Sequence, residues 1–393
     1  MFSFSDIFSP NLEIFEFSDT GRGLRAKNDI AENEILFSIS LDNVLSRKTV
    51  LHSLDLKAKE YVQNLKTEDL LSSYICIERN KSESFWKPYF DTLPSCSDLA
   101  QIYLADFKDI LPEYVKNKIV AKNETFRASF ETLKKINPNV DYKQFLEASL
   151  LGTQKILLNI NKDALSKNDS ISMIPFFDMF NHSPNVSVDT KVENNTFQII
   201  TKTPYKSGEQ VFINYGSHDN WTLLLEYGFT ISSNPMHQVR LDDILLQYLK
   251  SNKETFQFIE KIGLLNEYFV SKNEIGWRLQ TVVLLTQYTH ENIDLAATLP
   301  IVMNNRKTFE ESFGKRVFKG SKNNGSYIEA MKISERVKVV IKKAVEIKLA
   351  QLKEKLNSIE NIKYIEMVKN VYKEECSILS PILNVRDLED IYT

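Results

Sequence analysis

The chain has 393 residues, 42% hydrophobic and 26% charged, a composition of water-soluble globular material and more than one compact core holds. Its 49 Lys and Arg nearly balance 52 Asp and Glu, leaving a formal net charge of -3, so no bulk field draws it to nucleic acid or an anionic membrane. Cys76, Cys96 and Cys376 stand far apart and match no zinc-ligand spacing, which implies a reduced, metal-free protein.

The apolar start MFSFSDIFSPNLEIFEF is broken by Asp6, Pro10 and Glu13 and lacks a basic leader, so no targeting peptide is expected. No run reaches the roughly 18 apolar residues of a membrane span. A cytoplasmic location, extending to the nucleus, is the expectation. Residues 15 to 45 hold a glycine-rich turn, GRGL, followed by the strand-like run Ile35 to Leu41. From about Lys57 to Leu150 the spacing turns helical, with a loop-like break at PYFDTLPSCSD. Alternation returns between Ile174 and Tyr215, with turns at Asn194-Asn195 and Ser207-Gly208, and predicts short antiparallel strands. After about Asn234 the pattern is almost wholly helical. There Val337, Ile341, Val345, Leu349, Leu352 and Leu356 form one apolar stripe. The expected divisions are therefore 1-50, 51-150, 151-235 and 236-393.

Four separated segments carry chemistry: GRGL at Gly21 to Leu24, SFWKPYFDTLP at Ser84 to Pro94, IPFFDMFNHS at Ile174 to Ser183, and VFINYG with LLLEYGF at Val211 to Phe229. Taken singly, each has an ordinary structural reading: a loop glycine pair, a surface histidine, a packed strand-end tyrosine, a helix end capped by Gly228. Their order and spacing together resemble a SET domain, of the subgroup typified by the Rubisco large-subunit lysine methyltransferase and ribosomal-protein lysine methyltransferases. The likeness covers about residues 15 to 235.

The resemblance implies an α+β fold: a SET β fold of short antiparallel strands with a pseudoknot, an inserted helical subdomain at 51-150, and an all-α substrate-binding domain at 236-393. It implies S-adenosyl-L-methionine as cofactor, with S-adenosyl-L-homocysteine as product. Thr20, Gly21, Arg22, Gly23, Leu24, Gln154, Asn181, His182, Tyr215 and Phe229 are its implied cofactor lining. Tyr215 is the implied catalytic tyrosine, and Gln154, Ile156, Phe177, Asp178 and Tyr227 are the implied lysine channel. No metal is expected. The pseudoknot would bring residues 178 to 182 beside Tyr215.

Gln154 stands where relatives carry arginine and supplies neither its charge nor its fork. Relatives that methylate a histidine of actin carry a polar Asn where Ile156 stands here, and an apolar side chain favours lysine as acceptor. The expected partner is a lysine-bearing non-histone protein, a ribosomal protein or translation factor first, met by a monomer that binds neither nucleic acid nor membrane. The rival readings are a histidine methyltransferase and a SET-like binding protein without catalysis.

Overall fold

The computed structural model describes residues 7–54, 59–60, 62, 65–93, 109–151, 156–157, 171–286, 324–359 and 365–384. The chain divides into two compact units, Met1–Phe229 and Thr230–Thr393.

In the first unit, β1 (Leu12–Phe17) and β2 (Gly21–Ala26) form an antiparallel hairpin that closes at Phe17 and Gly21. Gly21 has φ +69°, in the left-handed region open to glycine without steric cost. On the hairpin face Arg25 pairs with Glu13 at 2.6 Å and lies 3.7 Å over the Phe15 ring. Strand β3 (Ile35–Ser40) pairs with β9 (Thr196–Thr201), and β9 pairs with β8 (Val188–Glu193). The β8–β9 turn is made by Asn194 and Asn195, φ +49° and +59°. Two successive left-handed residues match the right-handed strand twist, and Asn tolerates them better than most residues. Strand β6 (Ile171–Met173) lies between β4 (Leu45–Ser46) and β5 (Ile156–Leu157).

The strand that builds the site is β10 (Gln210–Ile213), antiparallel to β2 on one side and parallel to β7 (Asn181–His182) on the other. A parallel neighbour needs a long crossover, here the β8–β9 hairpin and its flanking loops. This pair departs from the all-antiparallel expectation.

An aromatic core lies beneath these strands. Phe37 is fully buried and meets Phe177 edge to face at 5.7 Å, with Phe180 and Phe197 each 6.4 Å away. Burying each such ring stabilises the fold by about 1.5–3 kcal/mol.

The helices of this unit are α1 (Arg47–Ser53), α2 (Thr67–Arg79), α3 (Lys87–Phe90), α4 (Glu113–Ile136), α5 (Tyr142–Leu151) and α6 (Asn220–Tyr227). Helix α1 starts at a capping box between Ser46 and Thr49. Helix α6 starts where Asp219 accepts the Thr222 N–H at 2.7 Å, and it ends at Gly228, φ +80°. Lys122 of α4 reaches Glu226 of α6 at 2.5 Å, tying the helical insertion to the site helix.

The second unit contains α7 (Asp242–Lys250), α8 (Lys253–Lys261), α9 (Trp277–Leu285), α10 (Asn324–Ser358) and α11 (Ile365–Asn384). The expected stripe of α10 is turned inward: Ile341, Val345, Leu349 and Leu352 are buried. The unit is not wholly helical, because β11 (Gln238–Arg240) and β12 (Phe269–Ser271) pair antiparallel. Three-residue strands are too short to interrupt a helical pattern in sequence, and this ribbon forms only because Val239 and Val270 are fully buried. No helix of the described residues is long and apolar enough to cross a membrane.

Candidate active site

Tyr215 lies two residues past the end of β10, and the chain turns sharply after it. Gly216 takes φ +127°, and its N–H donates to Asn214 Oδ1 at 2.8 Å. The turn aims the Tyr215 ring at β7. Its hydroxyl donates to the main-chain oxygen of Phe180 at 2.5 Å, and its backbone N–H donates to His182 Nδ1 at 3.1 Å. The His182 and Tyr215 rings stack at 5.0 Å and 24°.

Burial pushes the Tyr215 phenol far above its ordinary ionisation range, with the Asp178 carboxylate and Tyr227 adding to the shift. The hydroxyl is therefore a permanent donor and no phenolate base. Burial also pulls His182 below the usual imidazole value, against the effect of its Ile213 backbone hydrogen bond, with His218 lowering it further. An Nδ1 that accepts from a backbone N–H carries no proton, so a neutral His182 carries its proton on Nε2.

The glycine turn packs against these residues from β2. Asn181 Nδ2 donates to Arg22 O at 3.1 Å. A Cβ on Gly23 would lie 2.4 Å from Gln210 Nε2 and 2.7 Å from Asn181 Nδ2, so a larger residue would displace the ends of these two side chains. Thr20 Oγ1 donates to Gln210 Oε1 at 2.9 Å, whereas Gln210 Nε2 is buried with no hydrogen-bond partner among the described residues. The Leu24 side chain is fully buried in the core, so this residue offers the site only its main chain. Phe229 lies 6.3 Å from the His182 ring and 6.2 Å from Tyr227.

Tyr227 lies 4.9 Å from Tyr215, tilted by 38°, and forms the next wall of the same aromatic group. Asp178 sits behind it, its side chain 9% exposed. Burial raises the Asp178 carboxyl from 3.8 to about 6, opposed by the Arg22 guanidinium 4.0 Å away and by a hydrogen bond from Tyr89. Arg22 also donates to Thr92 O at 2.7 Å. It thereby joins the glycine turn to the segment SFWKPYFDTLP. Asp178 Oδ1 is buried with no hydrogen-bond partner among the described residues.

Phe177 was expected on the channel and lies elsewhere. Phe176 adopts φ +63°, and this left-handed step turns the Phe177 ring into the core against Phe37, Phe180 and Phe197. A bulky residue rarely adopts such a φ, so the surrounding packing holds it there. Gln154 lies outside the described residues. Ile156 contributes its main chain to β5, opposite Ser172, and its side chain is likewise outside the description.

Thr20, Gly21, Arg22, Gly23, Asn181, His182, Tyr215, Tyr227, Phe229 and Asp178 thus converge on one region of the first unit. Four contributors are new: Gln210, the Phe180 carbonyl, His218 and Tyr89. A polar residue at a strand start beside an apolar run was the only trace of Gln210. No sequence signal marks a main-chain oxygen. His218 Nε2 meets Tyr215 O at 3.1 Å, and its ring lies 5.8 Å from Tyr227. Among the described residues no group of His, Cys, Asp and Glu could hold a metal ion.

The SET domain family model matches residues 21–216. SET domain-containing protein 4 of Mus musculus is 29% identical over 69% of this chain, and the match spans 66% of that protein. Ribosomal lysine N-methyltransferase set11 of Schizosaccharomyces pombe is 27% identical, over 68% of each chain. The solved SET domain of LSMT bound to lysine and AdoHcy superposes with a TM-score of 0.61 at 18% identity, covering 98% of this chain and 89% of that one. The chain thus spans just under two thirds of the mouse relative's length. With a matching family model, a shared fold and a site that closes on the same segments, this chain belongs to the SET-domain family.

Proposed function

We propose that this protein is a protein-lysine N-methyltransferase that uses S-adenosyl-L-methionine and acts on a non-histone protein, a ribosomal protein before a translation factor. The observation that carries this reading is Tyr215, held by Phe180 O and His182 Nδ1 and walled by Tyr227.

The residues present fit the cofactor. Gly21 and Arg22 keep half-buried main chain at the turn, and the orphan Gln210 Nε2 is a donor beside Gly23. Phe229 and His182 offer ring faces for a heteroaromatic base. When bound, the sulfonium supplies an electrophilic methyl carbon and S-adenosyl-L-homocysteine as leaving group.

The chain must present a neutral amine in line with that carbon. A free lysine has a pKa of about 10.4, so the site must release its proton before attack. The aromatic walls Tyr215 and Tyr227 desolvate the ammonium, which favours the neutral form. With no phenolate available at Tyr215, the proton leaves to water. Bound there, the cofactor would supply the methyl group that the neutral amine takes up, with S-adenosyl-L-homocysteine leaving. The Tyr215 hydroxyl, its proton committed to Phe180 O, would have its oxygen lone pairs left for the incoming amine. The in-line geometry accounts for most of the rate.

The ribosomal assignment draws on the printed name of the fission-yeast relative. A monomer working in the cytoplasm, with access to the nucleus, completes the proposal. The test is calorimetry with S-adenosyl-L-methionine, then incubation with its tritiated-methyl form and a lysate from cells lacking the protein. The expected result is binding and label on methyllysine of a ribosomal protein. Binding with no label would favour a SET-like binding protein; label on methylhistidine would move the acceptor to imidazole.

A further inference from the structure

The backbone of Tyr215 is held by an imidazole on each side of its Cα. Its N–H donates to His182 Nδ1, and its C=O faces His218 Nε2, each at 3.1 Å. A carbonyl only accepts, so His218 is the donor and carries a proton on Nε2. We infer that His218 is a positioning residue for the Tyr215 hydroxyl: with His182 it fixes the two peptide units that flank the Tyr215 Cα, one at its N–H and the other at its C=O. The inference rests on the methyltransferase reading and deepens it.

Four further observations tie His218 to this task. Its own N–H donates to Gly216 O at 2.9 Å, closing a tight turn over Ser217. A Cβ on Gly216 would lie 3.1 Å from His218 Nε2, so glycine leaves the imidazole room to reach the carbonyl. The ring also leans on Tyr227 at 5.8 Å and 42°, and Tyr227 in turn packs on Tyr215. Asp219, the next residue, caps α6 and so anchors the segment that carries the imidazole.

The reason for such a clamp is leverage. Tyr215 stands at the entry to the Gly216 turn, and its hydroxyl lies at the far end of a rigid ring. A small rotation at the backbone therefore becomes a large displacement at the oxygen bonded to Phe180 O. Near the transferring carbon, misplacement costs rate more than affinity.

The test uses the full-length protein, tritiated-methyl S-adenosyl-L-methionine and a lysate from cells lacking the protein. Three quantities are read: transfer rate at saturating cofactor, cofactor concentration for half-maximal rate, and melting temperature. His218→Ala should lower the saturated rate about tenfold, as loss of one main-chain hydrogen bond would, with half-saturation within about twofold of wild type. His218→Gln places an amide N–H near the lost Nε2 and should recover at least half the wild-type rate. His218→Phe keeps a ring against Tyr227 without a donor and should stay slow. A wild-type rate in His218→Ala, or His218→Phe as fast as His218→Gln, overturns the inference while leaving the methyltransferase reading intact. So does a loss in all three variants that tracks a lowered melting temperature. Absence of transfer by the wild-type protein overturns that reading and this inference with it.

Discussion

The backbone N–H of Tyr215 donates to Nδ1 of His182 at 3.1 Å, a bond that a doubly protonated imidazole cannot accept. The proton state of His182 is therefore part of the site's geometry. Burial depresses its pKa below 6.5, so the unfolded chain binds the proton first as the solution becomes acid. Stability from the neutral ring is fully present above about 6.5 and is lost as pH falls through that value toward the depressed one. Melting temperatures across this range should show an acid limb that is weaker in His182→Asn, whose amide oxygen accepts without titrating. Identical limbs in both proteins would rule out His182 as its source.

Asp178 behaves in the opposite sense. Its carboxyl is raised from 3.8 to about 6 by burial, so between these values the folded chain holds more protons than the unfolded one. Stability is lost as pH rises through about 6. Asp178→Asn should therefore stabilise the protein near pH 7.5 by on the order of 1–3 kcal/mol, with the gain vanishing near pH 4. The same change should slow methyl transfer, since it removes the anion that Arg22 and Tyr89 engage. A melting temperature lowered at both pH values would show that the buried charge carries no net cost.

Tyr215→Phe removes the hydroxyl bonded to Phe180 O while keeping the ring against His182 and Tyr227. The saturated transfer rate should fall about a hundredfold or more, with cofactor affinity changed little, because the lost group acts on the reacting atoms. Since burial holds the phenol protonated, the wild-type profile should carry no alkaline limb from this tyrosine below about pH 10. A variant that retains full rate would remove Tyr215 from the mechanism.

Gly23→Ala forces a methyl group into the space of Gln210 Nε2 and Asn181 Nδ2, at 2.4 and 2.7 Å. Asn181 must move, and its bond to Arg22 O is lost. Destabilisation of about 1–3 kcal/mol is expected from the overpacking. Calorimetry should also show S-adenosyl-L-methionine binding at least tenfold weaker, by the loss of one hydrogen-bonded wall. Unchanged affinity with a lowered melting temperature would separate this glycine from the cofactor site.

Residue type and local order were enough to place the turns and caps. The asparagine pair at 194 and 195, Gly21 and Gly228 stand where a left-handed φ is required. The inward stripe of α10 was legible for a related reason: helical period alone decides which side chains share a face. The GRGL, NH and YG segments announced their convergence through their order, and the structure brings them together.

Elsewhere a local reading had nothing to work with. Phe177 carries the composition of a channel wall, yet one left-handed residue before it rotates its ring into the core. Gln210 enters the site through contacts with Thr20 and Gly23, near two hundred residues away in the chain, and Asn181 reaches Arg22 across 159 positions. The sequence by itself determined the order of elements and the residues that turn the chain, because these follow from short-range backbone preferences and periodicity, while the family showed through the resemblance of four ordered motifs. The tertiary structure alone decided which atoms meet: the Phe180 carbonyl under the Tyr215 hydroxyl, and an imidazole on each of the two peptide units that flank Tyr215. Those contacts depend on strand register and on desolvation by distant parts of the chain, which no local pattern encodes.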